Sequence, residues 1–274
     1  MPRDDAVWAE DRIISPTALK QFNACPQRAR FRYIDRLEEP RQFNVNLSKG
    51  RMTHDFLALA ARQIKQGQAE FGEAWVYDQA VRRLPAQEFP SAAARASHAR
   101  DVAGWVSWAL GRLDRTATIL RIEKGERREA PGLPPGAPLK VYARPDLVLL
   151  RTLDDGAPLV EFIDYKTGKE REDHLVPVLM RYVFTGFLKQ YLPDTTHARM
   201  RFTWYWVEGR QATRRELDLD YSLEKLALAR ENIDRLLAER EWRAQPSHLC
   251  HWCPFKGNPC TAFATASNDA VTEE

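Results

Sequence analysis

A chain of 274 residues that is 44% hydrophobic and 29% charged can bury a sizeable core, which excludes a disordered or fibrous protein. Its 41 basic and 38 acidic residues leave a formal net charge of only +3, so bulk charge does not announce a nucleic-acid binder, although a phosphate groove needs no more than a local basic surface. No apolar run approaches the ~20 residues of a membrane span, and residues 1–10 carry no apolar signal core, so a cytoplasmic protein without membrane contact is expected.

Ser15-Pro16 reads as a helix N-cap followed by proline at the first helical position, opening a short helix to about residue 23. A second helix is predicted after Cys25-Pro26, where Cys25, Ala29, Tyr33 and Leu37 recur every four residues beside a stripe of Arg28, Arg32 and Arg36. Further helices are predicted over about 50–66, which carries His54, over 71–83, and over 91–122 with Val102, Trp105, Ala109 and Leu113 inward. The pattern changes after Glu123. Residues 141–150 and 159–166 read as strands joined through the turn Asp154-Asp155-Gly156. A helix over about 173–191, a strand over 199–207, a pairing segment at 215–219 and an amphipathic helix over 223–240 follow, and a cysteine-rich coil closes the chain. This order predicts an α/β architecture, with α+β as the alternative: a small mixed sheet flanked by helices. One domain is expected over 1–266, with a helical part at about 15–123, a sheet-bearing core at about 124–240 and a cysteine segment at 241–262. The small, polar, acidic residues 267–274 are expected to be a disordered tail.

The chemistry concentrates in Arg144-Pro145-Asp146 and Asp164-Tyr165-Lys166. Side chains alternate along a strand, so Asp164 and Lys166 share a face. A hairpin turning at Asp155-Gly156 sets Asp146 across from Asp164 or Tyr165. Two ionised carboxylates that close repel each other unless a cation lies between them, and hard oxygens suit Mg²⁺ or Mn²⁺. A lysine beside such a metal can orient water and stabilise charge growing on a phosphate.

These residues resemble the PD-(D/E)xK nuclease superfamily, and Ile163-Asp164-Tyr165-Lys166-Thr167-Gly168 is similar to its RecB-type branch. The resemblance implies a restriction-endonuclease-like core with a helical N-terminal insertion and a metal-dependent deoxyribonuclease, with an exonuclease expected. It implies that Asp146 and Asp164 hold the metal, that the Tyr165 carbonyl adds an oxygen, and that Lys166 assists the water. Gly50-Arg51-Met52-Thr53-His54 resembles the upstream helix whose histidine joins the metal, and Glu129 is the matching supporting acid on the preceding strand. The chain departs from the branch after the lysine: Tyr182 has Val178, not glutamine, four residues before it.

Four cysteines in a cytoplasmic protein favour metal or redox chemistry over disulfides. Cys250-x-x-Cys253 alone would suggest zinc or a redox pair. One early cysteine, Cys25, with a late Cys250, Cys253 and Cys260 resembles the iron–sulfur staple of RecB-type nucleases, including the AddB nuclease domain and the nuclease of CRISPR adaptation. That resemblance implies a 4Fe–4S cluster of structural purpose, with zinc as the alternative. Arg28, Arg32, Arg36, Lys169 and Arg171 are candidate DNA contacts. Trp204, Tyr205 and Trp206 could stack unpaired bases, but at strand spacing they read as core. The partners implied are DNA and a separate helicase or other recombination or CRISPR-adaptation protein. Two other classes remain open: a non-catalytic DNA-end binding module built around the cysteine centre, and an electron-transfer protein, which would leave the opposed carboxylates unexplained.

Overall fold

Ser15 opens the first helix as its side chain dictates, accepting the Ala18 N–H at 3.1 Å ahead of Pro16 at the first helical position. The computed structural model describes Trp8 and residues 13–39, 43–68, 71–171, 173–192 and 198–262; the segment 267–274 lies outside the described residues. Along the chain come β1 (Ile13–Ile14), α1 (Pro16–Ala24), α2 (Pro26–Ala29), a π-helical turn (Arg30–Ile34), α3 (Val45–Lys65), α4 (Glu73–Arg83), α5 (Ala92–Leu110), β2 (Thr118–Ile122) and β3 (Glu126–Glu129). They are followed by β4 (Lys140–Ala143), β5 (Leu147–Thr152), β6 (Pro158–Lys166), α6 (Leu175–Leu188), β7 (Arg199–Trp206), β8 (Gln211–Glu216), α7 (Leu219–Ala238) and a 3-10 turn at His248–Trp252. The architecture is mixed α/β, as expected.

The chain divides into two compact units. The first, residues 43–126 and 143–223, holds a five-stranded sheet in the order β2-β5-β6-β7-β8. All neighbours in it are antiparallel except β6 and β7, which are parallel. Strand β6 is buried on both faces because each face is covered. Ile163 and Tyr165 on one side join Phe56 and Leu57 of α3 and Val102, Trp105 and Val106 of α5 in the main core. On the other side Phe162 meets Phe184 of α6 edge to face at 5.5 Å. Trp204, Tyr205 and Trp206 are buried at 4–5% exposure, in keeping with the core reading.

The β5–β6 hairpin sets the register of the site. Leu153 closes the loop by donating to Ala157 O and accepting from Gly156 N–H, and Gly156 takes φ 81°, so the loop has three residues with glycine in the left-handed position. Leu147 therefore pairs with Ile163, which puts Asp146 one step beyond, level with Asp164. This is the first of the two registers the sequence allowed.

Several boundaries differ from expectation. The helix predicted over 91–122 ends at Leu110, and Thr118–Ile122 is strand β2. Gly111 caps the helix, Asp114 accepts from both the Thr116 N–H and its hydroxyl, and the β-branched Thr118 and Ile119 then favour a strand. The strand predicted over 141–150 is two strands, because Pro145 offers no N–H to a ladder. Helix α3 begins earlier than residue 50, at Val45, since Asn44 caps it through the Asn46 and Leu47 N–H groups.

The second unit comprises residues 1–42, 127–142 and 224–274. It has a small sheet in the order β1-β4-β3, with β1 parallel to β4. Phe22 of α1 packs on Trp242, and Phe31 on Phe255. The arginine stripe expected after Cys25 is broken. Asp35 donates to Arg30 O five residues back, and Arg36 turns left-handed at φ 52°, so Arg28, Arg32 and Arg36 do not stack at helical spacing. Arg32 instead pairs with Glu39 at 3.1 Å.

Phe162 is fully buried between strand neighbours and α6. Phe162→Ala is expected to lower unfolding stability by about 3–5 kcal/mol, read as a lower urea midpoint with an unchanged slope.

Candidate active site

Asp146 is held from several directions. Pro145 is buried beside it, and the Asp146 N–H donates to Ile163 O at 3.1 Å, so the residue is stitched to β6 just past the ladder. Its carboxylate is divided between two partners. Oδ2 accepts the Tyr165 N–H at 2.6 Å, and Oδ1 stands 3.1 Å from His54 Nδ1. Helix α3 brings His54 to this point. One turn earlier Gly50 lies so close to the end of β6 that a Cβ there would meet Thr167 Oγ1 at 3.1 Å. Any larger residue would push the helix or that threonine away.

A third ligand-type group, which sequence reasoning missed, is Glu123. It follows β2 with left-handed φ of 49°, and its N–H donates to Asp146 O at 2.9 Å. Its Oε1 is 3.7 Å from His54 Nδ1, and its Oε2 is 3.6 Å from Arg144 Nε. One ligand atom each from His54, Glu123 and Asp146 lies within 4.8 Å of the others. With Leu57, Ala58, Ala61, Leu147 and Tyr165 these residues line a small pocket. The signal was an acidic residue at a strand end, hidden because the stretch before it reads as helix. Glu129, the acid proposed from the sequence, belongs to the other unit, where it accepts the Gly136 N–H at 3.2 Å.

Asp164 and Lys166 share a face of β6. Lys166 Nζ lies 2.6 Å from Asp164 Oδ2 and 2.9 Å from Oδ1. Only the second contact has hydrogen-bond geometry, so Oδ2 is a buried carboxylate oxygen without a hydrogen bond. Burial raises the Asp164 carboxyl to about 6; Lys166 opposes the rise and Asp146 adds to it. Burial works against the charge of His54, but hydrogen bonds to Asp146 and Glu123 overcome it and lift the imidazole to about 10. Burial likewise opposes the charge of Lys166, and the Coulomb attraction of Asp164 outweighs it, so its pKa is raised. An imidazole between two carboxylates, with an unsatisfied carboxylate oxygen nearby, is a donor set of the kind that holds a hard or borderline divalent cation. Lys169 and Arg171 are exposed beyond the end of β6.

The cysteines lie in the other unit. Cys25, Cys250, Cys253 and Cys260 are all free and line one pocket with Gln27, Phe31 and Phe255 among others. Ser247 donates its N–H to Cys250 Sγ at 3.3 Å, and Gln245 to Cys25 Sγ at 3.5 Å. The tight convergence expected of one metal centre is not present: among the described residues, no three of these sulfurs lie within 4.8 Å of one another. Four sulfurs on one zinc, at bonds of about 2.3 Å, would stand about 3.8 Å apart. Burial raises the Cys260 thiol, and the three other cysteines add to the rise.

A family model of the PD-(D/E)XK nuclease superfamily matches residues 13–258. No curated protein matches the sequence. Among solved structures, a candidate exonuclease from Eubacterium rectale is similar at 10% identity and a TM-score of 0.49, over 97% of this chain and 95% of that one. A protein designated SSO0001 is similar at 15% identity and a TM-score of 0.34, over 93% and 88% of the two chains.

A cation held by His54, Glu123 and Asp146 must displace the His54 proton, because only neutral imidazole ligates. With that proton retained up to about pH 10, Mn²⁺ affinity is expected to rise with pH by about tenfold per unit across neutrality. Titration calorimetry in buffers of different ionisation heat should count about one proton released per ion near pH 8 in the wild type. His54→Gln should flatten the pH slope. The sign for folding is the reverse. In the metal-free protein the stabilisation from the raised His54 is full below about pH 6.5 and lost as pH rises through about 10.

Proposed function

We propose that this chain, which belongs to the PD-(D/E)XK nuclease superfamily, is a Mg²⁺- or Mn²⁺-dependent deoxyribonuclease of the RecB-type branch, acting as an exonuclease on DNA ends or single strands. The observation that carries this reading is the convergence of His54, Glu123 and Asp146 beside the Asp164–Lys166 pair. DNA repair, recombination or spacer acquisition would supply such substrates, and a separate helicase or adaptation protein is the partner this reading implies.

In the proposed assignment His54, Asp146 and Asp164 hold the metal, and Glu123 completes the acidic set in place of Glu129. The N–H and C=O of one residue leave a strand on the same side. The Tyr165 N–H faces Asp146, so its carbonyl also points to that side and can add a neutral oxygen. A bound divalent ion would neutralise the carboxylates and acidify a coordinated water. The remaining work falls to the protein. Asp164 anchors the Lys166 ammonium, which stays charged in spite of burial. Lys166 can then orient the attacking water and stabilise negative charge as the phosphorus gains its fifth oxygen. The Tyr165 N–H fixes Oδ2 of Asp146, which leaves Oδ1 on the side of His54 for a shared metal.

Arg28, Arg32, Arg36, Lys169 and Arg171 are proposed to contact the DNA backbone, where each would contribute to affinity without reading sequence. For the four cysteines the reading is a structural iron–sulfur centre. The support is their shared pocket and the N–H···S hydrogen bonds. Each thiol would enter as thiolate, and the centre would tie residue 25 to the last segment of the chain.

Cleavage of end-labelled single- and double-stranded DNA with Mn²⁺ or Mg²⁺ tests the catalytic assignment. Lys166→Ala is expected to lower turnover by about 10²–10³-fold at unchanged fold. Cleavage by clean mutant protein at the wild-type rate would refute it, and the product ladder separates cutting from ends from internal cutting. For the cysteine centre, protein purified without oxygen is expected to show broad visible absorbance and about four irons per chain, lost in Cys250→Ser. About one zinc per chain, without absorbance, would establish the alternative.

A further inference from the structure

Arg144 stands outside the roles assigned so far. It lies between buried Ala143 and buried Pro145, and its own side chain is 56% exposed. The following proline biases it to an extended backbone, so its direction is set by the chain on both sides. Its contact is a long ion pair from Nε to Glu123 Oε2 at 3.6 Å. Among the described residues no contact occupies its two terminal nitrogens, which form the fork that binds carboxylate or phosphate oxygens. The same Glu123 presents Oε1 to His54, so this one carboxylate links the proposed metal set to a solvent-facing guanidinium. Lys166 is engaged with Asp164, and Arg121 with Glu126 and the Phe187 ring.

We propose that Arg144 binds a phosphate of the DNA backbone next to the scissile bond, held over the site by Glu123 until substrate arrives. The inference rests on the nuclease reading and deepens it by naming a substrate-binding residue. A guanidinium is charged at every working pH and pairs with phosphate in two parallel hydrogen bonds. The Glu123 pair is long and half-solvated, so it orients the side chain without competing strongly for it. Glu123 keeps its contact with His54 through Oε1 when Arg144 leaves.

The test is binding of a short duplex with a single-stranded overhang, followed by fluorescence anisotropy against salt, with Ca²⁺ replacing Mg²⁺ to suppress turnover. Arg144→Ala is expected to weaken binding by about tenfold at low salt and to lower the slope of log affinity against log salt by about one. Arg144→Lys should recover the slope but only part of the affinity, because an ammonium cannot make the fork. Arg82→Ala, the same change of charge on the exposed end of α4, is expected to leave both unchanged. With Mn²⁺, Arg144→Ala should raise KM more than it lowers kcat. An Arg144→Ala slope equal to that of the wild type would overturn the proposal. So would a mutant whose only change is the Mn²⁺ concentration needed for half-saturation, since that would make Arg144 a charge partner of Glu123 and nothing more. Wild-type protein that neither binds nor cuts DNA would overturn the nuclease reading together with this one. Wild-type cleavage with an indifferent Arg144→Ala would overturn this one alone.

Discussion

Repulsion among three carboxylates governs the first unit. Glu123 and Asp146 meet around His54, and Asp146 stands level with Asp164, where burial withholds the water that would normally screen them. The protein answers from within with His54 and Lys166, each favoured in its charged form by the acids around it although burial opposes that charge. A balance of that kind is the charge distribution of a site that trades a proton for a divalent ion. A folded domain without such a ligand would gain stability by spreading these groups apart.

The neighbourhood keeps them together through backbone more than side chains. Asp146 N–H to Ile163 O, Tyr165 N–H to Asp146 Oδ2 and Glu123 N–H to Asp146 O tie three separate segments into one cage. Helix α3 closes it from the core side, and the glycine at position 50 permits its approach to Thr167. The core formed by α3, α5 and the sheet therefore supports the His54–Glu123–Asp146 cluster directly: Phe56 and Leu57 are packed within two or three residues of His54.

Much of this was legible in the residue order, and the failures have physical causes. The alternation of β6, the turn at Asp154-Asp155-Gly156 and the Pro145-Asp146 step led to the carboxylate–lysine arrangement without any long-range information. The residue-level pattern also placed His54 on a helix. Glu123 was missed because Ala, Trp and Leu upstream give the segment a helical look, and the turn at Gly111 to Thr116 that ends the helix is short. The arginine stripe after Cys25 failed because a π turn inserts an extra residue per turn, which no local propensity announces. The four cysteines line one pocket but do not converge as tightly as the sequence led us to expect, because how closely the sulfurs approach depends on the coil around them.

The three-residue hairpin loop has a consequence beyond linking two strands. Faces of a strand alternate with period two, so the length of that loop works as a ruler for chemistry more than twenty ångströms of chain away. With Gly156 in its left-handed seat, Asp164 and Lys166 fall on one side of β6 and Tyr165 on the other. Losing or gaining one loop residue, unless a bulge absorbed it, would bring Ile163 or Tyr165 level with Asp146 and turn the carboxylate and the ammonium away. Apart from Gly156, the composition of this loop matters less to the site than its count, and the identity of the site is stored partly in a number.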